Sequence, residues 1–209
     1  MRSVKEVLTQ VPLYVGLQKA VGSDLLRYGC IDAAGIGPGE TVVDVGCGPA
    51  YYFDRFPAGI TYHGFDTDAG YIDYARSKYG DRGTFHLGIF DAHAAAEIPA
   101  PDVILMLGLL HHLDDTTAAS LLELCNDVLA PGGRVVSADP TFTPDQGKLS
   151  TWMSKNDRGE HVRRPDVLAA IATKPFDRVE EKVIPAHGRI LGTNLQMVMH
   201  KTGSDQPSS

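Results

Sequence analysis

From residue 41 onwards, short apolar runs alternate with segments whose apolar residues recur at helical spacing. Apolar runs of about four to eight residues that end in Gly, Pro or Asp are typical of strands buried in a parallel sheet. We predict such strands at 41–45, 61–65, 84–89, 102–107 and 134–138. Helical patterns lie between them, at 68–79 and around Leu121–Val128. Because crossovers between parallel strands are right-handed, we expect a mostly parallel sheet with helices on both faces.

The two ends of the chain depart from this alternation. Apolar residues at helical spacing predict one or two amphipathic helices over residues 4–29, within an N-terminal helical cap of residues 1–34. Residues 178–184 and 195–200 have the pattern of two strands joined without a helix. They predict an antiparallel pair at one edge and bring the sheet to seven strands.

Length and composition are consistent with one α/β domain, which we place at residues 35–201. We expect a lid-like insertion at about 141–164 and a polar, disordered tail at 202–209. The net charge of −7 argues against a general nucleic-acid binder. Met1–Lys19 mixes charges into its apolar residues, so we expect neither a signal peptide nor a membrane span there. Three widely spaced cysteines favour a reduced, cytoplasmic protein.

The most informative segment is Val42–Ala50 (VVDVGCGPA), where an apolar run ends in a carboxylate and breaks into a glycine-rich turn. Gly46 and Gly48 have no Cβ, so a ligand can lie against the backbone there, and a positive φ costs little. In an open parallel sheet, ligands bind beyond the carboxyl ends of the strands, where the strand order reverses. We therefore expect a ligand at this turn.

Two further residues narrow the choice of ligand. Asp66 lies twenty positions after Gly46, the spacing at which a carboxylate binds the ribose of a dinucleotide or an adenosyl ligand. A dinucleotide fingerprint would need glycine at position 51, where Tyr51 would obstruct close packing of helix and strand. The Lys and Ser/Thr of a P-loop are also missing. An NAD-dependent dehydrogenase is therefore a less favoured alternative.

The segment Val43–Gly48 resembles motif I of the class I S-adenosylmethionine-dependent methyltransferases. Further segments agree in order and spacing: Gly64-Phe65-Asp66, Asp91-Ala92, Asp102–Leu105 running into Leu110–Leu113, and Leu129–Gly133. The resemblance covers about residues 35–140 and implies a Rossmann-like three-layer α/β sandwich, with a mostly parallel seven-stranded sheet whose last strand is antiparallel. It implies S-adenosylmethionine as cofactor and S-adenosylhomocysteine as product. Ala50 departs from the motif by replacing its third glycine, a mild change of one methyl group.

The resemblance also implies roles for residues at the strand ends. Gly46 and Gly48, with Cys47 between them, would pass beneath the methionyl part of the cofactor. Asp44 would hold the turn and reach the cofactor's ammonium group through water, and Asp66 would bind the ribose. The other expected cofactor residues are Thr67 beside Asp66, Asp91 and the Ala92 amide against the adenine, and Leu107 at the end of the fourth strand.

Each carboxylate also has a purely structural explanation. Asp44 could cap the turn after its strand. Asp66 could be the N-cap of the following helix, and Asp91 could be a loop residue in solvent. The tertiary contacts of the three side chains decide between these explanations.

Two adjacent histidines, His111 and His112, follow the fourth strand and are the candidate general bases. In methyltransferases that need no base, the same segment is a wall of the site. Adjacent side chains usually point different ways, so we expect one of the two to face the pocket. For the acceptor pocket we predict Tyr14, Asp139 and Trp152. The nearby cations Lys155, His161, Arg163 and Arg164 would suit an aromatic or anionic substrate.

The sequence at the fourth strand bears on whether the methyl acceptor is a nucleic acid or a small molecule. It has no Asn/Asp-Pro-Pro-Tyr type of segment, which is expected of members that methylate nucleic-acid bases. We predict a small-molecule acceptor, no nucleic-acid or membrane partner, no metal, and a monomer or homodimer. Methylation at O, N or C remains open. The main alternative is a non-catalytic sensor or partner module, which would bind the cofactor without transferring its methyl group.

Overall fold

The computed structural model describes residues 4–155 and 159–201, so the predicted tail at 202–209 lies outside the described residues. One seven-stranded sheet has the order β3-β2-β1-β4-β5-β7-β6. Its strands are β1 Thr41–Val45, β2 Thr61–Asp66, β3 Thr84–Leu87, β4 Val103–Leu107, β5 Arg134–Pro140, β6 Arg178–Ile184 and β7 Asn194–His200. The helices are α1 Val4–Ala20, α2 Ser23–Ala34, α3 Ala69–Tyr79, α4 Ala92–Ala96, α5 Asp115–Val128, α6 Lys148–Lys155 and α7 Pro165–Ala172.

The first five strands are parallel, and β7 runs antiparallel to both of its neighbours. The predicted Rossmann-like sheet with an antiparallel last strand is therefore confirmed. Alternate residues of β1 and β4 enter different cores, which explains why both strands are mostly apolar. Val42 and Leu105 pack on the face covered by α2 and α3, and Val43 and Ile104 pack on the face of α5 and α7.

Two local predictions differ from the structure because of backbone geometry. Strand β3 ends at Leu87, two residues early, because Gly88 has a φ of 150° and the chain turns to leave Ile89 exposed. After Gly48 the sequence also predicts a short helix, for which Pro49 is acceptable as the first residue and which Pro57 and Gly59 interrupt. The structure has only a single 3-10 turn there, Phe53–Arg55.

The helices α1 and α2 pack onto the rest of the domain through specific contacts. Tyr14 of α1 stacks on Tyr71 of α3 with ring centres 5.2 Å apart. Gly22 joins the two helices with a φ of 76°, and a Cβ there would lie 2.5 Å from the backbone of Arg189. Within the described ranges, we find no helix with the length and apolar character needed to span a membrane.

Strand order reverses at β1, which lies between β2 and β4. The chain crosses from β1 to β2 on one side of β1 and returns from β3 to β4 on its other side. A crevice therefore opens at the carboxyl ends of β1 and β4. The glycine turn lies at this crevice.

Candidate functional site

Hydrogen bonds from β2 hold the turn after β1. The amides of Gly46 and Cys47 both donate to the Phe65 carbonyl, at 2.8 and 3.0 Å, and the Gly48 amide donates to Asp66 Oδ2 at 2.9 Å. Gly46 and Gly48 have φ values of 76° and 55°, in the region that favours glycine. A Cβ on Gly48 would meet no atom within 4 Å. The turn therefore offers open space against which a ligand can lie.

Ala50 occupies the position of the motif's third glycine. Its φ is 49°, in the left-handed region, and its side chain is buried. This conformation costs an L-residue about 1 kcal/mol or more. Replacing the motif's third glycine by Ala50 therefore costs conformational free energy, beyond the space that one added methyl group needs.

Asp66 joins the glycine turn to the start of α3. Besides the bond from Gly48, its Oδ1 accepts from the Asp68 amide at 2.8 Å. The N-cap of α3 is Asp68, whose side chain accepts from the Gly70 and Tyr71 amides. The explanation of Asp66 as the N-cap is therefore wrong, and its carboxylate lies at the ligand turn.

Asp44 is fully buried and bonds to two tyrosines rather than to the turn. Its Oδ2 accepts from the hydroxyls of Tyr52 and Tyr62, both at 2.8 Å. Its Oδ1 has no hydrogen-bond partner among the described residues. Burial raises the pKa of Asp44 to about 6, although the two tyrosine hydroxyls oppose the shift. Among the described residues, Asp44 makes no direct bond to the turn amides, which bond to β2, but the Tyr52 hydroxyl also donates to the Cys47 carbonyl at 3.4 Å and so links Asp44 to the turn.

A cavity of about 700 Å³ lies against the turn, within the range of small-molecule sites. Seven of the nine predicted cofactor residues line it: Gly46, Cys47, Gly48, Asp66, Thr67, Asp91 and Leu107. Asp44 lies behind Tyr52, and Ala92 is outside the lining as the first residue of α4. Asp91 is no solvated loop residue: it is half-buried and caps α4, with Oδ1 accepting from the Ala94 amide at 2.9 Å.

One further residue lines this cavity, Arg27 of α2, and no sequence motif pointed to it. It donates from Nη1 to the Tyr51 hydroxyl at 2.8 Å and from Nη2 to the Leu107 carbonyl at 3.2 Å. Its partners are uncharged, and its Nε has none among the described residues. Burial opposes its charge, but the neighbouring Tyr51 and Tyr52 keep the pKa of Arg27 above its ordinary value. Arg27 is therefore a cation without a carboxylate partner in the described structure.

A second cavity, of about 490 Å³, adjoins the first. The two share six lining residues: Tyr14, Arg27, Tyr71, Leu107, Gly108 and His112. Of the three predicted acceptor residues, Tyr14 and Trp152 line the second cavity. Asp139 does not reach its surface, because it is buried behind His111.

His111 is held by Asp139. The Nδ1 atom of His111 lies 2.8 Å from Asp139 Oδ1, and the His111 amide donates to the same oxygen at 3.1 Å. Because a carboxylate only accepts, Nδ1 carries the proton and Nε2 is the accepting nitrogen of the ring. The rings of His111 and His112 are 4.1 Å apart and both line the second cavity, so the expectation that one faces the pocket is wrong.

Arg163 stabilises the loop that carries the histidines. It is buried, donates to the Leu110 and Leu113 carbonyls, and pairs with Asp115 at 2.7 Å. Its predicted role toward an anionic substrate is wrong, because its guanidinium is occupied by this loop. His161 and Arg164 do not line the second cavity either, and the side chain of Lys155 lies outside the described part.

Comparison with known proteins gives one family and many similar folds. Residues 42–133 match the family described as a methyltransferase domain. An O-methyltransferase family protein from Burkholderia thailandensis is 21% identical, with a TM-score of 0.64 over 86% of this chain and 57% of its own. Human N-acetylserotonin methyltransferase, solved with S-adenosylmethionine, is 17% identical, with a TM-score of 0.70 over 97% and 57%. The 4+2 cyclase SpnF is 14% identical, with a TM-score of 0.68 over 87% and 81%. No curated protein matches the chain in sequence.

The sheet order, the glycine turn and the family match together define a Rossmann-like domain with a ligand crevice at β1 and β4. The match over residues 42–133 is consistent with the class I S-adenosylmethionine-dependent methyltransferase that the motifs of this segment predicted. It spans 57% of the length of both the Burkholderia protein and the human enzyme. At these identities the structural likeness extends to the fold alone.

Proposed function

We propose that the protein transfers a methyl group from S-adenosylmethionine to a small-molecule acceptor. The observation that carries the proposal is the pair of adjoining cavities, which share Arg27, Gly108 and His112 in their common wall. A cofactor in the first cavity and an acceptor in the second would meet where the two cavities adjoin, beside these shared residues. Both volumes suit small molecules.

Residues in and behind the first cavity complement the carboxylate and the ammonium group of the cofactor. Arg27, the only Lys or Arg among the described residues that line it, would hold the methionyl carboxylate. The buried Oδ1 of Asp44, with no partner among the described residues, supports the predicted contact to the ammonium group through water. The remaining expected contacts are Asp66 to the ribose, Asp91 and the Ala92 amide to the adenine, and Cys47, Thr67 and Leu107 in the wall.

When bound, the cofactor supplies a methyl group already activated by a positively charged sulfur. The chain's own residues then align the acceptor, exclude water and take up one proton. We assign proton uptake to His111, because Asp139 holds its Nδ1–H and so makes Nε2 the basic nitrogen of the ring. A hydroxyl acceptor would form its oxygen–carbon bond as the carbon–sulfur bond breaks, while its proton passes to Nε2. His112, which lines both cavities, would be part of the wall.

The alternatives fit these residues less well. A non-catalytic sensor would need the first cavity but no oriented proton acceptor beside the second, so the His111–Asp139 pair favours catalysis. A dehydrogenase is disfavoured because Tyr51 is buried at the position that a dinucleotide fingerprint reserves for glycine. The 4+2 cyclase of similar fold makes a direct assay necessary, since a fold does not determine its reaction.

The net charge and the cysteines support proposals about the class of acceptor and the cellular compartment. The net charge of −7 supports a small-molecule acceptor over nucleic acid. Cys30, Cys47 and Cys125 are free and buried, which supports a reducing, cytoplasmic environment. We also propose the division into a cap of residues 1–34 and a methyltransferase domain of residues 35–201, active as a monomer or homodimer and without a membrane partner.

The test is a methyl-transfer assay with cofactor labelled in the transferred group. Purified protein is incubated with hydroxylated and amino small molecules, and labelled product and S-adenosylhomocysteine are measured. We expect transfer to a hydroxyl acceptor that His111→Ala abolishes, with S-adenosylhomocysteine affinity retained in calorimetry. Cofactor binding without transfer to any acceptor would support the sensor instead. Absence of cofactor binding would contradict both.

A further inference from the structure

The second cavity is lined mostly by uncharged surface. Tyr14, Leu26 and Trp152 are typical of its walls, and Arg27 is the only Lys, Arg, Asp or Glu that the described residues contribute. The proposed function places Arg27 opposite the methionyl carboxylate of the cofactor. Binding in this cavity therefore depends on apolar contact rather than on charge.

The cavity has a polar inner end and an apolar mouth. At the inner end, His111 is 6% exposed and is oriented by Asp139. At the mouth, Leu17 of α1 and Trp152 of α6 also belong to the lining, yet they are 56% and 62% exposed. An occupant that reaches both ends must combine a polar head with an apolar extension.

The apolar mouth continues beyond the cavity along α1. Leu13 is 76% exposed and lies four residues before Leu17, so both are on the same face of the helix. Large apolar side chains clustered in solvent beside a cavity mark a binding surface. Their contact with a ligand would remove them from water.

We propose that the acceptor is amphipathic, with a hydroxylated head that reaches His111 and an apolar chain that leaves the cavity along Leu17 and Trp152. The inference of a hydroxylated head depends on the proposed function. The inference of an apolar chain on the acceptor depends on the exposed side chains at the mouth of the cavity. A second copy of this protein is the competing occupant of the mouth. The acceptor is favoured because Leu17 and Trp152 are continuous with the cavity lining, and a covering copy would close the entrance to the site.

The test uses Trp152, the only tryptophan of the chain, as a reporter of the mouth. Protein saturated with S-adenosylhomocysteine is titrated with 4-alkylphenols that carry methyl, butyl or octyl chains. We expect the emission of Trp152 to shift to the blue with the longer chains. In calorimetry, affinity should rise about twofold to fourfold for each added methylene, as for apolar surface removed from water.

Two leucine variants distinguish binding of the alkyl chain at the mouth from a general effect of exposed apolar surface. Leu17→Ser should flatten the dependence on chain length and keep the affinity for the methyl compound. Leu87→Ser is the matched control, since Leu87 is 54% exposed but lines neither cavity. It should keep the dependence of the wild type, and both variants should bind S-adenosylhomocysteine normally.

Several results would overturn the inference. Equal affinity for all three phenols would do so, as would an unshifted Trp152 emission. A shift with protein concentration alone, with a dimer that Leu17→Ser dissociates in sedimentation, would assign the mouth to a second copy. Because the titration needs no methyl transfer, chain-dependent binding without any methylation would contradict only the proposed function. Methylation without dependence on chain length would contradict only this inference.

Discussion

The Nδ1 atom of His111 lies 2.8 Å from Oδ1 of Asp139, and the backbone amide of His111 donates to that same oxygen at 3.1 Å. The histidine follows β4 and the aspartate belongs to β5, the neighbouring strand. Two donors on one carboxylate oxygen hold the imidazole in one orientation and one tautomer. This is the geometry that a proton acceptor requires.

Asp139→Asn should lower kcat by about tenfold to a hundredfold, because a neutral amide stabilises the protonated imidazole less well. Affinity for S-adenosylhomocysteine should stay at the wild-type level, because Asp139 does not line the first cavity. Steady-state kinetics and calorimetry measure the two quantities. His187→Ala, at an exposed histidine outside both cavities, is the control and should leave kcat unchanged. An unchanged kcat in Asp139→Asn would remove the pair from the mechanism.

Asp66→Ala should weaken cofactor binding by roughly tenfold to a hundredfold, since a hydrogen bond to a charged group contributes about 1.5–3 kcal/mol. The variant also loses the acceptor of the Gly48 amide, so the turn becomes less ordered. Asp68→Ala provides the comparison, because it removes the N-cap of α3 but no side chain that lines the cavity. It should cost about 1 kcal/mol of stability with little change in affinity. Equal affinities in calorimetry for Asp66→Ala and the wild type would refute the assignment.

Arg27→Met should weaken binding of S-adenosylhomocysteine by about tenfold to a hundredfold, because the carboxylate of its homocysteine part loses its cation. Methylthioadenosine has the same adenosyl thioether but no carboxylate. Its affinity should therefore be nearly equal in the variant and the wild type. The ratio of the two affinities, measured by calorimetry, isolates the charge contact from any change in packing. A parallel loss for both ligands would indicate that Arg27 only supports Tyr51 and Leu107.

Asp44 should make the stability of the cofactor-free protein depend on pH. Its pKa rises from 3.8 to about 6 on burial, so the folded protein holds this proton more tightly than the unfolded chain. The contribution to stability is therefore fully present below about pH 4 and is lost as the pH rises through about 6. Relative to Asp44→Asn, the free energy of unfolding of the wild type should fall by about 3 kcal/mol over this range.

Urea unfolding at a series of pH values measures this difference. Tyr62→Phe is the companion variant, because it removes one of the two hydroxyl donors that oppose the shift. Its loss of stability should extend to higher pH than in the wild type. A difference between wild type and Asp44→Asn that does not vary with pH would contradict the raised pKa.

Local sequence patterns were sufficient to predict the backbone of the cofactor site. The mostly apolar run Thr41–Val45 predicted β1 with its bounds, because a strand that is buried on both faces is apolar at most of its positions. The glycines at 46 and 48 predicted a turn with positive φ. Their spacing to Asp66 placed the carboxylate beside the turn, since parallel strands end at one edge of the sheet. The end of β3 was mispredicted, because the φ of Gly88 is invisible in an apolar pattern.

The pattern of residues was enough to predict the parallel strands, the glycine turn and most of the residues that line the first cavity. The partners of the buried charges, in contrast, depend on the packing of the folded chain. Arg27 contacts Tyr51 and Leu107, which are 24 and 80 positions away, and Asp139 lies 28 positions after His111. A periodic pattern records which face of an element is buried. It carries no information about which distant side chain meets a charge there, because packing of the whole sheet and its helices sets that contact.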